Sequence, residues 1–255
     1  MPIKGEINAT FCKDGFLFFG EKMKVLFLLL FLPFLTLADN QGGVSLGATR
    51  VIFPSNAKSV SLSVNNSSNS SVWLLRSWVN QYSDNDKVAV PFIITPPLYR
   101  LDGDSSIQLR INATDTEKLV QNRESVFMVN VMAIPPEDDN SNAGTGGNIR
   151  FAVNNKIKLI YRPEKLNDQQ QIKDAYSSLS VVKFSGFITV KNSSPYYITL
   201  GRAFINGKEV RGGSDLMLKP LNGEVNIPES DKSGRFTYQV INDFGGMTPE
   251  ITVAF

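Results

Sequence analysis

Short runs of alternating apolar and polar residues dominate this sequence after its apolar N-terminal segment. The clearest lies in Asn148–Pro163, where Ile149, Phe151 and Val153 alternate with polar or small residues. Alternation with a period of two is typical of a β-strand that has one apolar face. Pro163 ends this strand, because proline cannot continue a hydrogen-bonded ladder. The pattern leaves open whether the strand lies in a core or at an exposed edge.

Similar runs recur at roughly 8–12-residue spacing with turn-forming residues between them, which favours β-sandwiches. No segment keeps an apolar 3.6-residue period over three turns. We predict first-domain strands at residues 44–48, 60–64, 72–79, 92–95, 106–111 and 126–134, and second-domain strands at 179–184, 186–191, 197–205, 215–218, 223–227, 234–241 and 251–255. The predicted fold class is all-β, with two sandwich domains.

A polar stretch with three consecutive glutamines, residues 164–175, separates the two strand series and reads as a linker or a short helical turn. The predicted division is therefore residues 1–38 for a targeting segment, 39–163 for an N-terminal domain, 164–175 for the linker and 176–255 for a C-terminal domain.

The targeting segment has the pattern of a secretory signal peptide. Met23 and Lys24 precede an apolar run at residues 25–37, and Ala38 supplies a small residue at the cleavage point. The run is short for a membrane span, which needs about 20 residues, although an uncleaved anchor is the alternative. We expect translation to begin at Met23 and the protein to be exported.

Composition makes several kinds of site impossible. The chain has no histidine and a single cysteine, Cys12, which precedes the predicted cleavage point. A Ser–His–Asp triad, a Cys–His dyad, His-ligated zinc and an intrachain disulfide are therefore excluded. With 26 basic and 24 acidic residues, the charge does not indicate nucleic-acid binding. We predict no enzymatic activity, cofactor or metal; the acids near residues 102–104 and 137–139 lie in turn-like sequence.

Three charged residues stand in unusual positions. Arg50 interrupts an otherwise apolar strand, where a charge is costly unless it is paired. Glu124 lies at the entrance of a strand, and Asp243 precedes a glycine turn. Together with these, seven motifs occur in order: T-R-V-I-F from residue 49, T-P-P-L-Y-R-L from 95, R-E-S from 123, I-P-P from 134, K-I-K-L-I-Y-R-P from 156, S-P-Y-Y from 194 and I-N-D-F-G-G from 241.

In these motifs the sequence resembles the PapD-like periplasmic chaperones of the chaperone–usher pilus pathway, from about Val44 to Phe255. The resemblance implies two immunoglobulin-like β-sandwich domains in an L-shaped or boomerang arrangement around a cleft. It also implies that Arg50 and Lys158 bind the C-terminal carboxylate of a pilus subunit. The alternatives are a core arginine paired with a structural acid and a lysine that protects a strand edge.

The same resemblance assigns Ile149, Phe151 and Val153 to a donor strand that is inserted into a subunit lacking its final strand, a form of β-strand addition. Alternatively, these are ordinary core residues of the first domain. Lys158 has the opposite alternation parity from the three donor residues, which a bulge or twist between Val153 and Lys158 would reconcile.

Glu124, Arg162 and Asp243 match the family's buried interdomain ion network, which we expect to fix the angle between the domains; three unrelated surface charges are the alternative. The cysteine pair carried by some family members is absent, and the interval between Pro136 and Ile149 is short. Both features favour the short-loop subclass.

The predicted function is a periplasmic chaperone that stabilises fimbrial subunits and delivers them to an outer-membrane usher. The expected partners are pilus subunits and the usher. Self-association of the free protein through the donor strand is a further possibility that the sequence leaves open. A fimbrial structural or adhesive subunit is the alternative. A subunit would usually be a single domain, which argues against it.

Overall fold

A computed structural model of the protein describes residues 42–83, 88–136, 151–210 and 216–255. The predicted signal segment, Ile149 and the acidic loop at residues 137–147 lie outside these residues. Within the described residues, no helix has the length and hydropathy needed to cross a membrane.

The first domain consists of two sheets. Its strands are β1 (Val44–Leu46), β2 (Arg50–Pro54), β3 (Ser59–Asn66), β4 (Trp73–Gln81), β5 (Phe92–Thr95), β6 (Leu98–Leu101), β7 (Ser106–Ala113), β8 (Ser125–Ile134) and β9 (Val153–Arg162), with a 3₁₀ turn at Thr116–Lys118. One sheet has the order β1-β3-β7-β5 and the other β2-β9-β8-β4-β6.

Inward-facing side chains of both sheets form the first core. Leu62 and Leu109 come from one sheet, and Leu75 and Leu159 from the other; all are almost completely buried. The ring of Phe92 packs edge-on against neighbouring rings, with 5.1 Å between its centroid and that of Phe53. The core thus rests on the period-two alternation visible in the sequence.

The second domain has its own pair of sheets and its own core. Its strands are β10 (Ser180–Phe184), β11 (Phe187–Asn192), β12 (Ile198–Ile205), β13 (Lys208–Glu209), β14 (Met217–Leu218), β15 (Gly223–Pro228), β16 (Arg235–Val240) and β17 (Ile251–Ala254). One sheet has the order β10-β11-β15 and the other β13-β12-β16-β17, with β14 beside β12. The fold is therefore two β-sandwiches, as predicted.

An α-helix occupies the stretch that the sequence predicted as a linker or helical turn. Helix α1 (Gln169–Ser177) begins after Asp168, whose carboxylate accepts a hydrogen bond from the Gln171 amide at 2.8 Å and caps the helix. Ile172 and Ala175, one turn apart, are buried in the second core. The helix is thus a packed part of the second domain.

Replacing Ile172 with alanine tests that packing. Removal of a buried isoleucine side chain should lower the free energy of unfolding by about 2–4 kcal/mol, measured by urea denaturation. The matched control is Lys173→Ala, an exposed position on the same helix, which should change stability by less than about 0.5 kcal/mol. Equal stabilities of the two variants would mean that α1 is only a connection.

Candidate functional site

Strand β9 is paired along its length on one side but only over its second half on the other. Strand β8 pairs with it in antiparallel register from Val153 to Tyr161. Strand β2 runs parallel to it and covers Lys158–Arg162, with Arg50 opposite Lys158. Among the described residues, the first half of β9, beginning at Val153, has no second strand beside it. This half is an open sheet edge.

The two faces of β9 meet different surroundings. On one face, Val153 continues the alternation of Leu159 and Tyr161, which are buried in the first core. On the other face, Lys158 lies opposite Met128 and lines a cleft. The register with β8 is uninterrupted, so the suggested bulge between Val153 and Lys158 is not present. The difference in parity places donor and anchor residues on opposite faces of one regular strand.

The predicted donor side chains lie outside the first core. Phe151 is 75% exposed and Val153 is 54% exposed. They are therefore not ordinary core residues of this domain. Ile149, the third predicted donor, lies outside the described residues.

The predicted carboxylate anchors lie side by side. Arg50 and Lys158 are paired in the register of β2 and β9, and both line a cleft of about 550 Å³ between the two domains. Arg50 is only 8% exposed, and its Nη1 donates a hydrogen bond at 3.0 Å to the carbonyl of Ile241 in the second domain. Two cations at one point of a cleft can bind a carboxylate through charge-assisted hydrogen bonds.

The turn that follows Ile241 approaches the first domain closely. Gly245 has a φ of +83°, in the left-handed region that favours glycine. A Cβ atom at this position would also overlap the side chain of Thr49, which precedes β2. Glycine is therefore required here both by the backbone conformation and by the approach of the two domains.

The structure brings Glu124, Arg162 and Asp243 together at the interface of the domains. Arg162 is 3% exposed, and its Nε donates to Glu124 Oε1 at 2.7 Å. Its Nη1 and Nη2 donate to the two carboxylate oxygens of Asp243, at 2.6 and 2.9 Å. One guanidinium thus joins an acid of the first domain to an acid of the second, in contrast to three unrelated surface charges.

Further hydrogen bonds extend this network. Glu124 Oε2 accepts a bond from the Tyr197 amide at 2.7 Å, and the Glu124 amide donates to the carbonyl of Pro195 at 3.0 Å. The Tyr176 hydroxyl, on α1, donates to Asp243 Oδ1 at 3.2 Å. The guanidinium of Arg162 also lies over the ring of Tyr196, 5.6 Å from its centroid. Three segments of the second domain therefore meet the end of β9 at this point: residues 195–197, helix α1 and the turn that contains Asp243.

Two carboxylates share one guanidinium in this buried network. Burial opposes the ionised form of Glu124 and, together with the charge of Asp243, outweighs Arg162 and the Tyr197 amide, so the pKa of Glu124 is raised to about 7. Burial also opposes the charge of Arg162, but Asp243 and Glu124 outweigh it and raise the pKa of the guanidinium.

Two residues of the cleft were not identified from the sequence. Thr199 and Arg202, both on β12, line its second-domain wall. A register shift between Leu200 and Arg202 interrupts the pairing of β12 with β16. Because such a bulge reverses the alternation, it places Arg202 on the cleft side together with Thr199. A regular alternation would have placed them on opposite faces, so the sequence pattern carried no signal for this pair.

The raised pKa of Glu124 gives stability a specific pH dependence. Between pH 4.5, the ordinary pKa of a glutamate, and about pH 7, the folded protein holds the proton of the Glu124 carboxyl more tightly than the unfolded chain does. The stability that this proton contributes is fully present below pH 4.5 and is lost as the pH rises through about 7. Relative to Glu124→Gln, the wild-type free energy of unfolding should fall by about 1–3 kcal/mol over this range, measured by urea denaturation.

The control for this experiment is Glu117→Gln, which replaces an exposed acid of the same domain. Its stability curve should run parallel to that of the wild type from pH 4.5 to 7. If the Glu124→Gln curve is parallel as well, the proton is not held by Glu124.

Comparisons with known proteins agree with this architecture. Residues 43–167 match the family model for the pili and flagellar-assembly chaperone PapD N-terminal domain, and residues 174–252 match that for the pili assembly chaperone PapD C-terminal domain. The chaperone protein FocC of Escherichia coli is 36% identical over 224 residues, which cover 87% of this chain and 94% of FocC.

Two solved structures are also similar. The periplasmic chaperone SfaE is 33% identical with a TM-score of 0.69, over 82% of this chain and 98% of SfaE. A Salmonella enterica complex of the SafA pilin with the SafB chaperone contains a chain that is 29% identical, with a TM-score of 0.73, over 84% of this chain and 96% of that one. These relatives are chaperones, which argues against a fimbrial subunit. The chain belongs to the PapD-like family of pilus-assembly chaperones.

Proposed function

We propose that this protein is a non-enzymatic periplasmic chaperone that binds pilus subunits by adding β9 to their incomplete fold. The observation that supports this most directly is the first half of β9. It has a strand on one side only; Val153, its first residue, and Phe151, two residues before it, are both exposed to solvent. An apolar strand edge exposed in this way is a ready template for pairing with another chain.

The alternation along β9 explains how the strand is suited to this role. Val153 lies on the face that Leu159 and Tyr161 use to fill the first core. The same face, continued beyond the core, offers apolar side chains to a second sandwich. Full burial of Phe151 or Val153 in a subunit contributes about 1.5–3 kcal/mol each, and backbone hydrogen bonds add to this.

The anchor pair sets the direction of the bound strand. A carboxylate held by Arg50 and Lys158 lies at the point where β2 begins to cover β9. The subunit's last strand must then approach from the side of Val153 and run toward Lys158. It is therefore parallel to β9 and occupies the edge that β2 leaves open.

The ion network of Glu124, Arg162 and Asp243 has a supporting role in this proposal. It holds the turn after Ile241 against the end of β9, and Arg50 donates to the carbonyl of that same Ile241. A buried network of this kind is better suited to fixing geometry than to adding stability. We infer that it fixes the angle between the domains and so the shape of the cleft.

The wider pathway follows from the relatives. A PapD-like chaperone passes its subunits to an outer-membrane usher, and exchange of one strand for a better-fitting one needs no ATP. An N-terminal signal peptide would deliver this chain to the periplasm. The open edge of β9 is also where two free copies would associate, because each could extend the sheet of the other.

The anchor assignment is tested by Lys158→Ala and Arg50→Ala in cells that co-express a pilus subunit. Each variant removes one cation from the carboxylate, so recovery of the subunit in a pull-down should fall by about tenfold or more. Lys232→Ala, an exposed lysine of the second domain, is the control and should retain full recovery. Undiminished recovery with both anchor variants would refute the carboxylate site.

The donor assignment is tested by Phe151→Asp. A charge at this position would be buried inside the subunit, so affinity for a subunit should fall by at least about tenfold, measured by calorimetric titration. The thermal unfolding midpoint of the free chaperone should not change, because Phe151 is exposed there. Phe151→Leu is the matched control and should retain most of the affinity. A large loss of stability in Phe151→Asp would instead place this side chain in the core.

A further inference from the structure

A hydroxyl group of helix α1 takes part in the ion network. Tyr176, near the C-terminal end of the helix, donates from its hydroxyl to Asp243 Oδ1 at 3.2 Å. Its backbone carbonyl accepts a hydrogen bond from the Tyr238 hydroxyl at 3.1 Å, and Ile172 and Ala175 bury the same helix in the second core. Tyr176 is therefore held in place by its own domain, and its hydroxyl meets Asp243 in a fixed position.

Of the two acids in the network, Asp243 is the less enclosed. Its side chain is 17% exposed, whereas that of Glu124 is 1% exposed. Burial therefore restrains the Asp243 carboxylate less, and its orientation depends more on its hydrogen bonds. Its Oδ1 accepts bonds from both Arg162 Nη2 and the Tyr176 hydroxyl. Burial and the charge of Asp243 also raise the pKa of Tyr176, so the hydroxyl keeps its proton and remains a donor.

The turn that carries Asp243 is bonded within itself. Asn242 Oδ1 accepts hydrogen bonds from the amides of Phe244 and Gly246, both at 3.0 Å. The Asn242 amide donates to the Gly246 carbonyl at 2.8 Å, and the Asn242 carbonyl accepts from the Gly245 amide at 3.0 Å. A turn closed in this way by an asparagine side chain moves as one piece. A change in the position of Asp243 is therefore passed to its neighbours.

The same turn holds one of the two proposed anchors. The carbonyl of Ile241, two positions before Asp243, accepts the 3.0 Å hydrogen bond from Arg50 Nη1. Two positions after Asp243, Gly245 lies against the side chain of Thr49, the residue next to Arg50. The place of the Arg50 guanidinium therefore depends on a turn whose acid is bonded to Tyr176.

We propose that Tyr176 is a positioning residue for the carboxylate anchor: its hydroxyl orients Asp243, and through the turn after Ile241 it sets the place of Arg50. The inference rests on the proposed function, since it takes Arg50 and Lys158 as the site of the subunit's terminal carboxylate. Helix α1, which is described in full and does not line the cleft, thereby contributes to subunit binding.

The test compares Tyr176→Phe with the wild type. The ligand is a short synthetic peptide with alternating apolar residues, made with a free C-terminal carboxylate and as the C-terminal amide. Binding to the full-length exported protein is measured by calorimetric titration. The wild type should bind the acid at least about tenfold more tightly than the amide. Tyr176→Phe should weaken binding of the acid about threefold to tenfold and leave that of the amide within about twofold, because only the acid uses Arg50.

Tyr238→Phe is the matched control. It removes a tyrosine hydroxyl that is bonded to the same helix, at the Tyr176 carbonyl instead of at Asp243. It should lower the thermal unfolding midpoint but retain the preference for the acid. A double variant, Arg50→Ala with Tyr176→Phe, should bind the acid no more weakly than Arg50→Ala alone, because Tyr176 acts through Arg50.

Three results would overturn the inference while the proposed anchor stands. Tyr176→Phe could weaken both peptides equally or neither, which would mean that its hydroxyl does not position the anchor. Tyr238→Phe could reduce the preference as much, which would make the docking of α1 responsible. The double variant could bind the acid more weakly than Arg50→Ala, so that the effect bypasses Arg50. If the wild type binds acid and amide equally, or binds neither, the proposed anchor fails and the inference fails with it.

Discussion

The buried guanidinium of Arg162 is the constraint on which the geometry of this molecule depends. An arginine with almost no exposure is tolerated only when its charge and its donors are satisfied. Glu124 and Asp243 satisfy them from different domains. Because neither acid could leave without stranding a buried charge, the network holds the second-domain turn against the end of β9. The cleft exists at this place because the two domains are held at this point.

Strand β9 contributes residues to every part of the site. Its first half is an open edge that begins at the exposed Val153, Lys158 lines the cleft from its middle, and its last residue is Arg162. Regular pairing with β8 fixes the spacing of these parts, since no register shift interrupts it. The open edge, the domain interface and the first core are therefore all built on the same backbone segment.

Much of the fold could be predicted from the sequence, because a strand buried on one face has alternating apolar and polar residues. The strand at Phe92–Thr95 and the limits of β8 follow from that signal to within a residue. Strand β6 was missed, since it follows Pro96 and Pro97 and has no clear alternation. Helix α1 was predicted only as a linker or a short helical turn, because its two buried residues stand in a polar, glutamine-rich stretch that is too short to show a clear helical period.

The site was less accessible to sequence reasoning. Periodicity indicates that Arg50 is unusual, but its partnership with Lys158 depends on a parallel pairing between distant strands, and only the family resemblance suggested it. The position of Arg202 on the cleft side could not be predicted from the sequence, because a bulge at Gly201 reverses the alternation on which such predictions rest. Long-range pairings and local irregularities are the two kinds of information that a pattern in one segment does not contain.

The uninterrupted register of β9 has a geometric consequence for the proteins it would bind. From Val153 to Lys158 the strand advances five residues, or about 17 Å at the usual rise per residue. If the C-terminus of a bound chain is fixed at Lys158, the position of every earlier residue along β9 is fixed as well. The apolar side chains of that chain must then lie at set distances from its C-terminus. The strand would act as a ruler, and a client lengthened by one residue at its C-terminus would present the wrong face along the whole of its final strand.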